Sequence, residues 1–430
     1  ELSLAGDKSV SHRAIIFSAM ASGKSIITNL SQAQDVISTM VIMHKLGASI
    51  LTKDRKIIIG GMGYKGFKVP ASNLDCGNSG TSARLIAGLL AAQNFNSTLI
   101  GDESLSKRPM KRVIEPLKQM GTEFQSNENL TLPLTVIPKS NFHSIDYEMP
   151  VASAQVKSSI LIAGLHCDEK TSVIENEQTR NHTEKMLGLP VKPENGKIIS
   201  SSSRKYYPEA KEYFIPGDIS SSAFHVILTL LTPNSELMVK NVSLNPTRTG
   251  FIDVLKKMGA NIFFEDIKTS SNEEYGNIII KSSSLKNTRI DSQIIPNIID
   301  EIPILTIAGI FAEGDFVIEN AKELRVKESD RIKSICSNLK YLGLNVEELD
   351  EGFIVSGAIK NSKPVFESFG DHRIAMSFAI LSMLLDNGGE VNGFECCLLY
   401  TSDAADERSS VDLGGRRIIK KKIQKKKNKE

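Results

Sequence analysis

Lys257-Met258-Gly259 ends a predicted helix, and two short strands follow it between Ala260 and Ile280. The same order of helix end, glycine and strand recurs at Lys45-Leu46-Gly47, Gln119-Met120-Gly121, Met186-Leu187-Gly188 and Tyr341-Leu342-Gly343. The five glycines are 74, 67, 71 and 84 residues apart. Each suits the position just after a helix, where a left-handed backbone favours glycine. A repeat of roughly 70 residues predicts related folding modules that pack around shared cores.

The composition predicts a globular protein of two or three domains. The chain has 430 residues, of which 40% are hydrophobic, whereas one domain usually takes roughly 150 residues. No apolar run is long enough to span a membrane and no signal-peptide pattern begins the chain, so we expect no membrane partner. The five cysteines lack the spacing of a zinc site. We therefore expect no metal and a reducing compartment, either the cytoplasm or a plastid after removal of a transit peptide.

The net charge of +2 hides a strong asymmetry along the chain. Residues 416–430 hold nine Lys or Arg and one Glu, a net charge of +8, which leaves −6 for residues 1–415. A body with this charge does not bind nucleic acid through bulk electrostatics. Its cations are expected to be concentrated in a cleft.

Four motifs place cations beside glycine turns or acids. They are Gly6-Asp7-Lys8-Ser9-Val10-Ser11-His12-Arg13, Asp75-Cys76-Gly77-Asn78-Ser79-Gly80-Thr81-Ser82-Ala83-Arg84, Glu323-Leu324-Arg325-Val326-Lys327-Glu328-Ser329-Asp330-Arg331 and Phe369-Gly370-Asp371-His372-Arg373-Ile374-Ala375-Met376-Ser377. Three of them precede apolar helical patterns, so their backbone N–H groups and the positive helix ends favour anions. In the Glu323–Arg331 stretch, a helix would place Lys327 and Arg331 on one face. Any single motif is also explained by a helix cap or a solvated charge run, but four together favour a substrate with several phosphate or carboxylate groups.

These motifs, in this order, resemble the 5-enolpyruvylshikimate-3-phosphate synthase family. The resemblance runs from about Leu4 to Asn392 and includes the segments GDKSVSHR, GNSGTSAR, SKRPM, ASAQVKS, TRNHTEKML, NPTRTGF, LRVKESDR and GDHRIAM. It implies an α/β fold of two similar globular domains, each with three βαβαββ units, helices inside and sheets outside, in an inside-out α/β barrel arrangement. The implied domains are residues 9–215 and residues 1–8 plus 216–395, with a substrate cleft between them.

The resemblance also implies the reaction. The family transfers the enolpyruvyl group of phosphoenolpyruvate to the 5-hydroxyl of shikimate 3-phosphate and releases phosphate by addition and elimination, without a cofactor. The implied phosphoenolpyruvate ligands are Lys8, Asn78, Gly80, Arg108, Gln155, Arg331 and Arg373. The implied shikimate 3-phosphate ligands are Lys8, Ser9, Arg13, Ser153, Gln155, Arg180, Asp300 and Lys327. A cytoplasmic monomer that binds only small anionic molecules is expected.

Catalytic roles carry over to four positions by the same resemblance. Asp300 would take the proton of the 5-hydroxyl, and its apolar neighbours predict a raised pKa. From the residues alone, Asp300 is better explained by a helix N-cap. Glu328 would protonate the methylene carbon of phosphoenolpyruvate, with His372 as a supporting candidate and Lys8 as a further catalytic residue.

The sequence departs from the family at three places. Ala5 stands where proline is usual, and Ala154 stands where some members carry a second serine, so Ser153 would supply the hydroxyl alone. Residues 396–430 do not resemble the family's ending, which normally carries a lysine that contacts phosphoenolpyruvate, and no tail lysine is assigned to that role. Two explanations stay open for this segment, a disordered basic tail and a stretch that is not native to the chain.

Two other functions remain as alternatives. The sister enzyme, UDP-N-acetylglucosamine enolpyruvyl transferase, shares the fold and reaction but typically carries a catalytic cysteine before its Arg-Pro segment. The corresponding residues here, from Gly101 to Pro109, contain no cysteine. A binding protein for anionic metabolites that has lost catalysis is the other alternative, and Asp300 and Glu328 argue against it.

Overall fold

The computed structural model describes residues 1–361 and 363–397. The atypical tail predicted from residue 396 onward lies outside these ranges, apart from Cys396 and Cys397. The described residues form twelve α-helices, which are α1 (Lys8–Met20), α2 (Gln34–Lys45), α3 (Gly80–Ala91), α4 (Lys111–Gln119), α5 (Ala154–Gly164), α6 (His182–Leu187), α7 (Ile219–Leu231), α8 (Gly250–Lys257), α9 (Ile295–Ile298), α10 (Ile302–Phe311), α11 (Arg331–Tyr341) and α12 (His372–Leu384).

The strands are short and spread over the whole described chain. They are β1 (Leu2–Ser3), β2 (Ser22–Thr28), β3 (Ser49–Lys53), β4 (Lys56–Met62), β5 (Leu74–Asp75), β6 (Ser97–Ile100), β7 (Glu123–Gln125), β8 (Leu134–Ile137), β9 (Asp146–Glu148), β10 (Thr171–Glu175), β11 (Val191–Glu194), β12 (Lys197–Ser202), β13 (Glu212–Phe214), β14 (Glu236–Ser243), β15 (Asn261–Ser270), β16 (Glu273–Lys281), β17 (Phe316–Ile318), β18 (Asn345–Leu349), β19 (Gly352–Ser356), β20 (Val365–Glu367) and β21 (Glu390–Asn392). Among the described residues they form six separate sheets, and none of these sheets closes into a barrel.

The repeating unit predicted from the glycines is visible in the sheet orders. Strands β5 to β8 with α3 and α4 form one βαβαββ unit with the order β5-β6-β8-β7, and β9 to β12 with α5 and α6 form the next with the matching order β9-β10-β12-β11. The remaining sheets are β13-β2-β4-β3, β1-β14-β16-β15, β17-β19-β18 and β20-β21. In the three-stranded sheet, the opening strand is reduced to a parallel bridge between Lys286 and Glu313.

The five repeat glycines end the second helix of their units, as predicted. Gly47, Gly121, Gly188, Gly259 and Gly343 follow α2, α4, α6, α8 and α11, and their φ angles lie between +63° and +108°. Residues with a Cβ rarely adopt this left-handed backbone, which explains why the sequence signal was clear.

Two hydrophobic cores fill the molecule. One consists of buried residues between Val10 and Ile215, with α1, α3 and α5 at its centre. The other lies between Ile219 and Leu381, around α7, α10 and α12. Helices α3 and α5 pack so closely that a Cβ on Gly88 would lie 2.2 Å from the backbone oxygen of Ser159. The central helices are therefore inside and the sheets outside, as the resemblance implied.

The chain passes between the two cores at two adjacent points. Strand β1 pairs in parallel with β14, although β14 lies more than 230 residues later, and β13 pairs in parallel with β2. Between these strands, Gly6 and Gly217 form an antiparallel bridge. The backbone N–H of Asp7 donates to Pro216 O at 2.7 Å, and that of Asp218 donates to Ala5 O at 3.1 Å. The two connections therefore run side by side.

No single helix among residues 1–361 and 363–397 is long and apolar enough to cross a membrane. One pair, Ser292–Ile298 and Ile302–Phe311, passes by length and composition together but is bent by 116°. Eight consecutive residues of its second helix, from Ile302 to Gly309, are buried, and five of them belong to the hydrophobic core between Ile219 and Leu381.

Candidate active site

Five helices begin at or next to residues of the predicted site. Helix α1 begins with Lys8, α3 with Gly80, α5 one residue before Gln155, α11 with Arg331 and α12 with His372. In each case the side chain of the preceding residue caps the helix by accepting a backbone N–H, and the caps are Asp7, Ser79, Ser153, Asp330 and Asp371. Helix N-termini carry partial positive charge and unpaired N–H groups, so they favour anionic ligands.

Asp300 lies in the link between α9 and α10, and four cationic side chains converge on its carboxylate. Arg180 Nη2, from the N-terminal half of the chain, pairs with Oδ2. Arg331 Nη1 lies 3.3 Å and Lys327 Nζ 3.8 Å from Oδ1. Arg373 Nη2 lies 3.9 Å from Oδ2. Arg331 also contacts Glu328 and Asp371, and Arg373 contacts Glu301, so an anionic substrate that binds these cations competes with four carboxylates.

The prediction of a raised pKa for Asp300 was wrong. Burial does raise the pKa, but Arg180, Arg373, Lys327 and Arg331 outweigh burial and hold it well below its usual value. The prediction weighed only neighbours in sequence, whereas Arg180 is 120 residues away and Arg373 is 73 residues away. Asp300 is therefore ionised at neutral pH, and its lowered pKa makes it a weak base while all four cations face it.

The explanation of Asp300 as a helix cap was also wrong. The N-cap position of α10 is occupied by Glu301, whose side chain makes no capping hydrogen bond. Asp300 points its carboxylate at cations from both halves of the chain instead.

Glu328 is a second carboxylate of the site. Its Oε2 accepts from Arg331 Nη2 at 2.5 Å. Burial raises the pKa of Glu328, but Arg331, followed by His372 and Arg108, lowers it below its ordinary value. In this state Glu328 is ionised at neutral pH. Its predicted role as a proton donor therefore requires that a bound anion first draws Arg331 away.

The cationic stretch before α11 is not one helix, so the expectation that Lys327 and Arg331 share a helical face was wrong. A 3-10 helix covers Lys322–Val326, and Lys327 is the residue that caps its C-terminus. Asp330 then caps α11 by accepting the N–H of Lys333 at 3.1 Å, so α11 begins only at Arg331. Despite this break, the side chains of Lys327 and Arg331 both lie within 3.8 Å of Oδ1 of Asp300.

Arg108 is oriented by two polar residues of the N-terminal half. Its Nη2 donates to Asn78 Oδ1 at 2.7 Å, and Asn78 Nδ2 donates to Asp102 Oδ2 at 2.7 Å. Asn78 thus positions the guanidinium of Arg108 in addition to its predicted contact with a ligand.

Gly80 and Gln155 meet at Arg84, which was quoted in a motif but not assigned to the predicted site. Arg84 Nη1 donates to Gln155 Oε1 at 2.8 Å, and Gln155 Nε2 donates to Thr81 Oγ1 at 3.0 Å. Burial, with Arg108 and Arg112 nearby, lowers the pKa of Arg84 to about 10, which still leaves it charged. It is the fifth residue of α3, and its place at the end of the glycine-rich motif was the signal that pointed to it.

Arg13 lies behind the site surface. The residue is 3% exposed, and its guanidinium donates to Thr183 Oγ1 at 2.8 Å, Ser158 Oγ at 2.7 Å and Ser9 O at 2.9 Å. All three of its nitrogens are bonded to protein, so in this arrangement Arg13 braces α1 against its neighbours. Ser153, by contrast, is half-buried at the start of α5.

Lys8 and His372 lie on the remaining side of the site. Lys8 Nζ pairs with Asp35 Oδ2 at 3.1 Å, and Asp35 had no sequence signal beyond its place in the first turn of α2. Burial, with Arg373 and Lys8, lowers the pKa of His372 to about 3. His372 is therefore uncharged at neutral pH and is not a proton donor in this state. No cluster of three or more metal-ligating side chains occurs within the described ranges.

Comparison with known proteins decides the family. The family model for EPSP synthase (3-phosphoshikimate 1-carboxyvinyltransferase) matches residues 1–398. The chain belongs to the EPSP synthase family. A 3-phosphoshikimate 1-carboxyvinyltransferase of Petrotoga mobilis is 45% identical over 403 residues, which cover 92% of this chain and 93% of that protein.

Solved structures agree with this family. An EPSP synthase from Acinetobacter baumannii superposes with a TM-score of 0.82 at 40% identity, over 93% of this chain and 92% of that one. The enolpyruvyl transferase NikO from Streptomyces tendae superposes with a TM-score of 0.69 at 12% identity, over 93% of this chain and 91% of NikO. The second likeness extends the fold alone to a more distant enolpyruvyl transferase.

Proposed function

We propose that this chain transfers the enolpyruvyl group of phosphoenolpyruvate to the 5-hydroxyl of shikimate 3-phosphate and releases phosphate. The observation that carries the proposal is the meeting of Arg180, Lys327, Arg331 and Arg373 at Asp300 in a member of the EPSP synthase family. Two anionic substrates repel each other, so an enzyme that joins them must supply several cations in one place.

The arrangement supports a division of roles between the two carboxylates. Asp300 is ionised and accepts the proton of the 5-hydroxyl, while the cations around it stabilise the negative charge of both substrates. The Arg331 side chain is 1% exposed, and its three nitrogens contact Asp371, Asp300 and Glu328, so phosphoenolpyruvate binds it only by displacing one of these carboxylates. Displacement of Glu328 raises the pKa of that residue. Glu328 then takes a proton from solvent and gives it to the methylene carbon. In the elimination step the resulting methyl group returns a proton to Glu328, and phosphate leaves as its C–O bond breaks.

We keep the ligand assignments except that of Arg13, which is enclosed by protein, and we add Arg84 as a partner of Gln155. Lys8, Arg108, Arg331 and Arg373 bind phosphoenolpyruvate, and Arg13 acts from behind the surface. The other proposed ligands of phosphoenolpyruvate are Asn78, Gly80 and Gln155, and the proposed ligands of shikimate 3-phosphate are Lys8, Ser9, Ser153, Gln155, Arg180, Asp300 and Lys327. His372 acts as an uncharged hydrogen-bonding group. We propose domains of residues 9–215 and 1–8 plus 216–395, a monomer and a cytoplasmic location.

The sister reaction on a UDP sugar is less well supported. The segment from Gly101 to Pro109, which precedes α4, contains no cysteine to serve that chemistry. The relative from Petrotoga mobilis is named for the shikimate reaction.

Phosphate release tests the proposal directly. We expect the full chain to release inorganic phosphate when phosphoenolpyruvate and shikimate 3-phosphate are both present and to release none with either compound alone. Release with a UDP sugar as acceptor would favour the sister reaction. Absence of release with every acceptor, in a chain that still binds shikimate 3-phosphate, would favour a binding protein that has lost catalysis.

The cationic site also predicts which ligand stabilises the fold. Shikimate 3-phosphate should raise the melting temperature more than shikimate, because only the phosphate engages the cations. A ligand at a hundredfold excess over its Kd adds about 2.7 kcal/mol to the free energy of unfolding. Thermal unfolding with each compound at the same concentration measures the difference. Equal shifts would contradict the assignment of a phosphate site.

A further inference from the structure

The two connections between the halves of the molecule carry one aspartate each. Asp7 follows the first connection and caps α1, and Asp218 follows the second and caps α7. The backbones of the two connections are hydrogen-bonded to each other, so both aspartates lie where the two connections run side by side.

Arg248 lies between these two aspartates. Its Nη1 is 3.3 Å from Asp7 Oδ2, and its Nη2 is 3.8 Å from Asp218 Oδ1. Burial lowers the pKa of Arg248, but Asp7 and Asp218 outweigh burial and raise it above the ordinary value. The side chain is 2% exposed, so it is enclosed by protein and acts only through the residues that it contacts.

One set of these contacts leads to Lys8. The carboxylate of Asp7 accepts the N–H of Val10 at 2.9 Å and thereby begins α1. Asp218 Oδ2 accepts the backbone N–H of Lys8 at 3.1 Å. Arg248 therefore holds both carboxylates that fix the backbone of Lys8.

A second set leads to Asp300. Arg248 Nη2 donates to Ser220 Oγ at 2.5 Å, and Ser220 Oγ donates to Glu301 Oε1 at 2.5 Å. Glu301 is the next residue after Asp300, and its Oε1 lies 3.7 Å from Arg373 Nη1. The same Arg373 nitrogen donates to the backbone oxygen of Asp300 at 2.9 Å. The contacts that run from Arg248 through Ser220 to Glu301, which we call the relay, therefore reach Arg373, and Arg373 bonds to the backbone of Asp300, the candidate base.

A third contact ties Arg248 to the N-terminal half. Its Nη1 lies 3.4 Å from His182 Nε2, in α6. His182 Nδ1 is 2.7 Å from Glu273 Oε1, at the start of β16, and Asn245 Nδ2 donates to Glu273 Oε2 at 2.9 Å. All four side chains are buried, and they join the two halves beside the paired connections.

From this geometry we propose that Arg248 is a positioning residue for the transfer reaction, which fixes Lys8 and Asp300 relative to each other from the paired connections between the halves. This inference rests on the proposed function. Misplacing a reacting group by about 1 Å costs up to roughly 10²-fold in rate, so a residue without substrate contact can still limit turnover.

Two substitutions separate the contacts that lead from Arg248 to Lys8, the route to Lys8, from those that lead to Glu301 and Asp300, the route to Glu301. Arg248→Lys keeps the charge, but a single ammonium does not reproduce the planar fork that reaches Asp7 and Ser220 together. Ser220→Ala cuts only the route to Glu301 and leaves the pairs of Arg248 with Asp7 and Asp218. Arg204→Lys is the matched control, because Arg204 is a surface residue paired with Asp168.

We expect Arg248→Lys to lower kcat by about 10- to 100-fold and to weaken binding of shikimate 3-phosphate, since Lys8 also shifts. Ser220→Ala should lower kcat by about 10-fold with an unchanged Kd for shikimate 3-phosphate. The double variant should lose no more kcat than Arg248→Lys alone, because both changes interrupt one relay. Arg204→Lys should match the wild type.

The melting temperature of each variant is measured first. Values of kcat and of the Kd for shikimate 3-phosphate, measured well below that temperature, then decide the outcome. Lower melting temperatures with wild-type kcat in both variants would reduce Arg248 to a purely structural role and overturn the proposal. If Arg248→Lys does not fold, Ser220→Ala alone decides, and wild-type kcat in that variant overturns it. If the wild-type chain releases no phosphate, the proposed function fails instead, and an unchanged Kd in Arg248→Lys then overturns the route to Lys8.

Discussion

Asp300→Asn should lower turnover by roughly 10²–10⁴-fold, the usual contribution of a general base, while the protein still binds shikimate 3-phosphate. The amide keeps an oxygen acceptor and nearly the same shape but has no basic oxygen with which to take the 5-hydroxyl proton. The four cations around this position remain and face one competing carboxylate less, so phosphate binding is retained.

Steady-state phosphate release and titration of shikimate 3-phosphate measure the two effects separately. Asp315→Asn is the matched control, because it makes the same change at an exposed position outside the site. Its kinetics should match those of the wild type. Near-normal turnover in Asp300→Asn would show that Asp300 serves only to neutralise the surrounding cations.

Lys327→Met provides the contrasting result within the same cluster. Lys327 contacts Asp300 and is assigned to shikimate 3-phosphate, so its loss removes a charge-assisted contact present in both ground and transition states. We expect the Kd to rise by roughly 10–150-fold, which corresponds to about 1.5–3 kcal/mol. The two variants together therefore separate a base from a binding residue.

The pH dependence of stability follows from the lowered pKa of Asp300. A carboxyl whose folded pKa lies below its unfolded value contributes stability at neutral pH, and this contribution is lost as pH falls through the folded pKa. The wild type should therefore exceed Asp300→Asn in free energy of unfolding most at neutral pH. The difference should shrink below about pH 4, where the unfolded carboxyl begins to hold a proton.

Much of the fold could be predicted because its signals are local. The positive φ of the glycine after each second helix is set by neighbouring residues only. The repeats could therefore be counted from the sequence. The two short strands predicted between Ala260 and Ile280 are β15 and β16, which pair, and β3 with β4 and β18 with β19 pair after their helices in the same way. The three-stranded sheet β17-β19-β18 was harder to predict, because its opening strand is reduced to a single bridge between Lys286 and Glu313.

The site was predictable as a set of residue types but not as a set of charges. The pKa of Asp300 depends on cations that arrive from distant parts of the chain, and Arg13 turned out to be enclosed by Thr183 and Ser158. Arg248 stands in a quoted segment, yet nothing in the sequence indicates that it reaches both Asp7 and Ser220. Such couplings follow from the tertiary arrangement alone.

Gly80→Ala should weaken inhibition by glyphosate, which in this family occupies the phosphoenolpyruvate site. A Cβ on Gly80 would lie 2.6 Å from Arg84 Nη1 and 3.7 Å from Arg108 Nη1, so the added methyl group is directed between two of the site's guanidinium groups. Glyphosate is slightly longer than phosphoenolpyruvate, so it should lose more from the reduced space. One carbon in a tight pocket is typically worth about 1–3 kcal/mol, or 10–200-fold.

Inhibition constants for glyphosate and KM values for phosphoenolpyruvate, measured with the wild type, Gly80→Ala and Arg84→Met, test this expectation. We expect inhibition competitive with phosphoenolpyruvate in the wild type, and in Gly80→Ala a larger loss for glyphosate than for the substrate. Arg84→Met separates two causes, because it removes the guanidinium that the methyl group would displace and that now holds Gln155. If Arg84→Met alone reproduces the discrimination, the effect comes from releasing Gln155. If both ligands weaken equally in Gly80→Ala, Gly80 forms a structural turn and does not line the pocket.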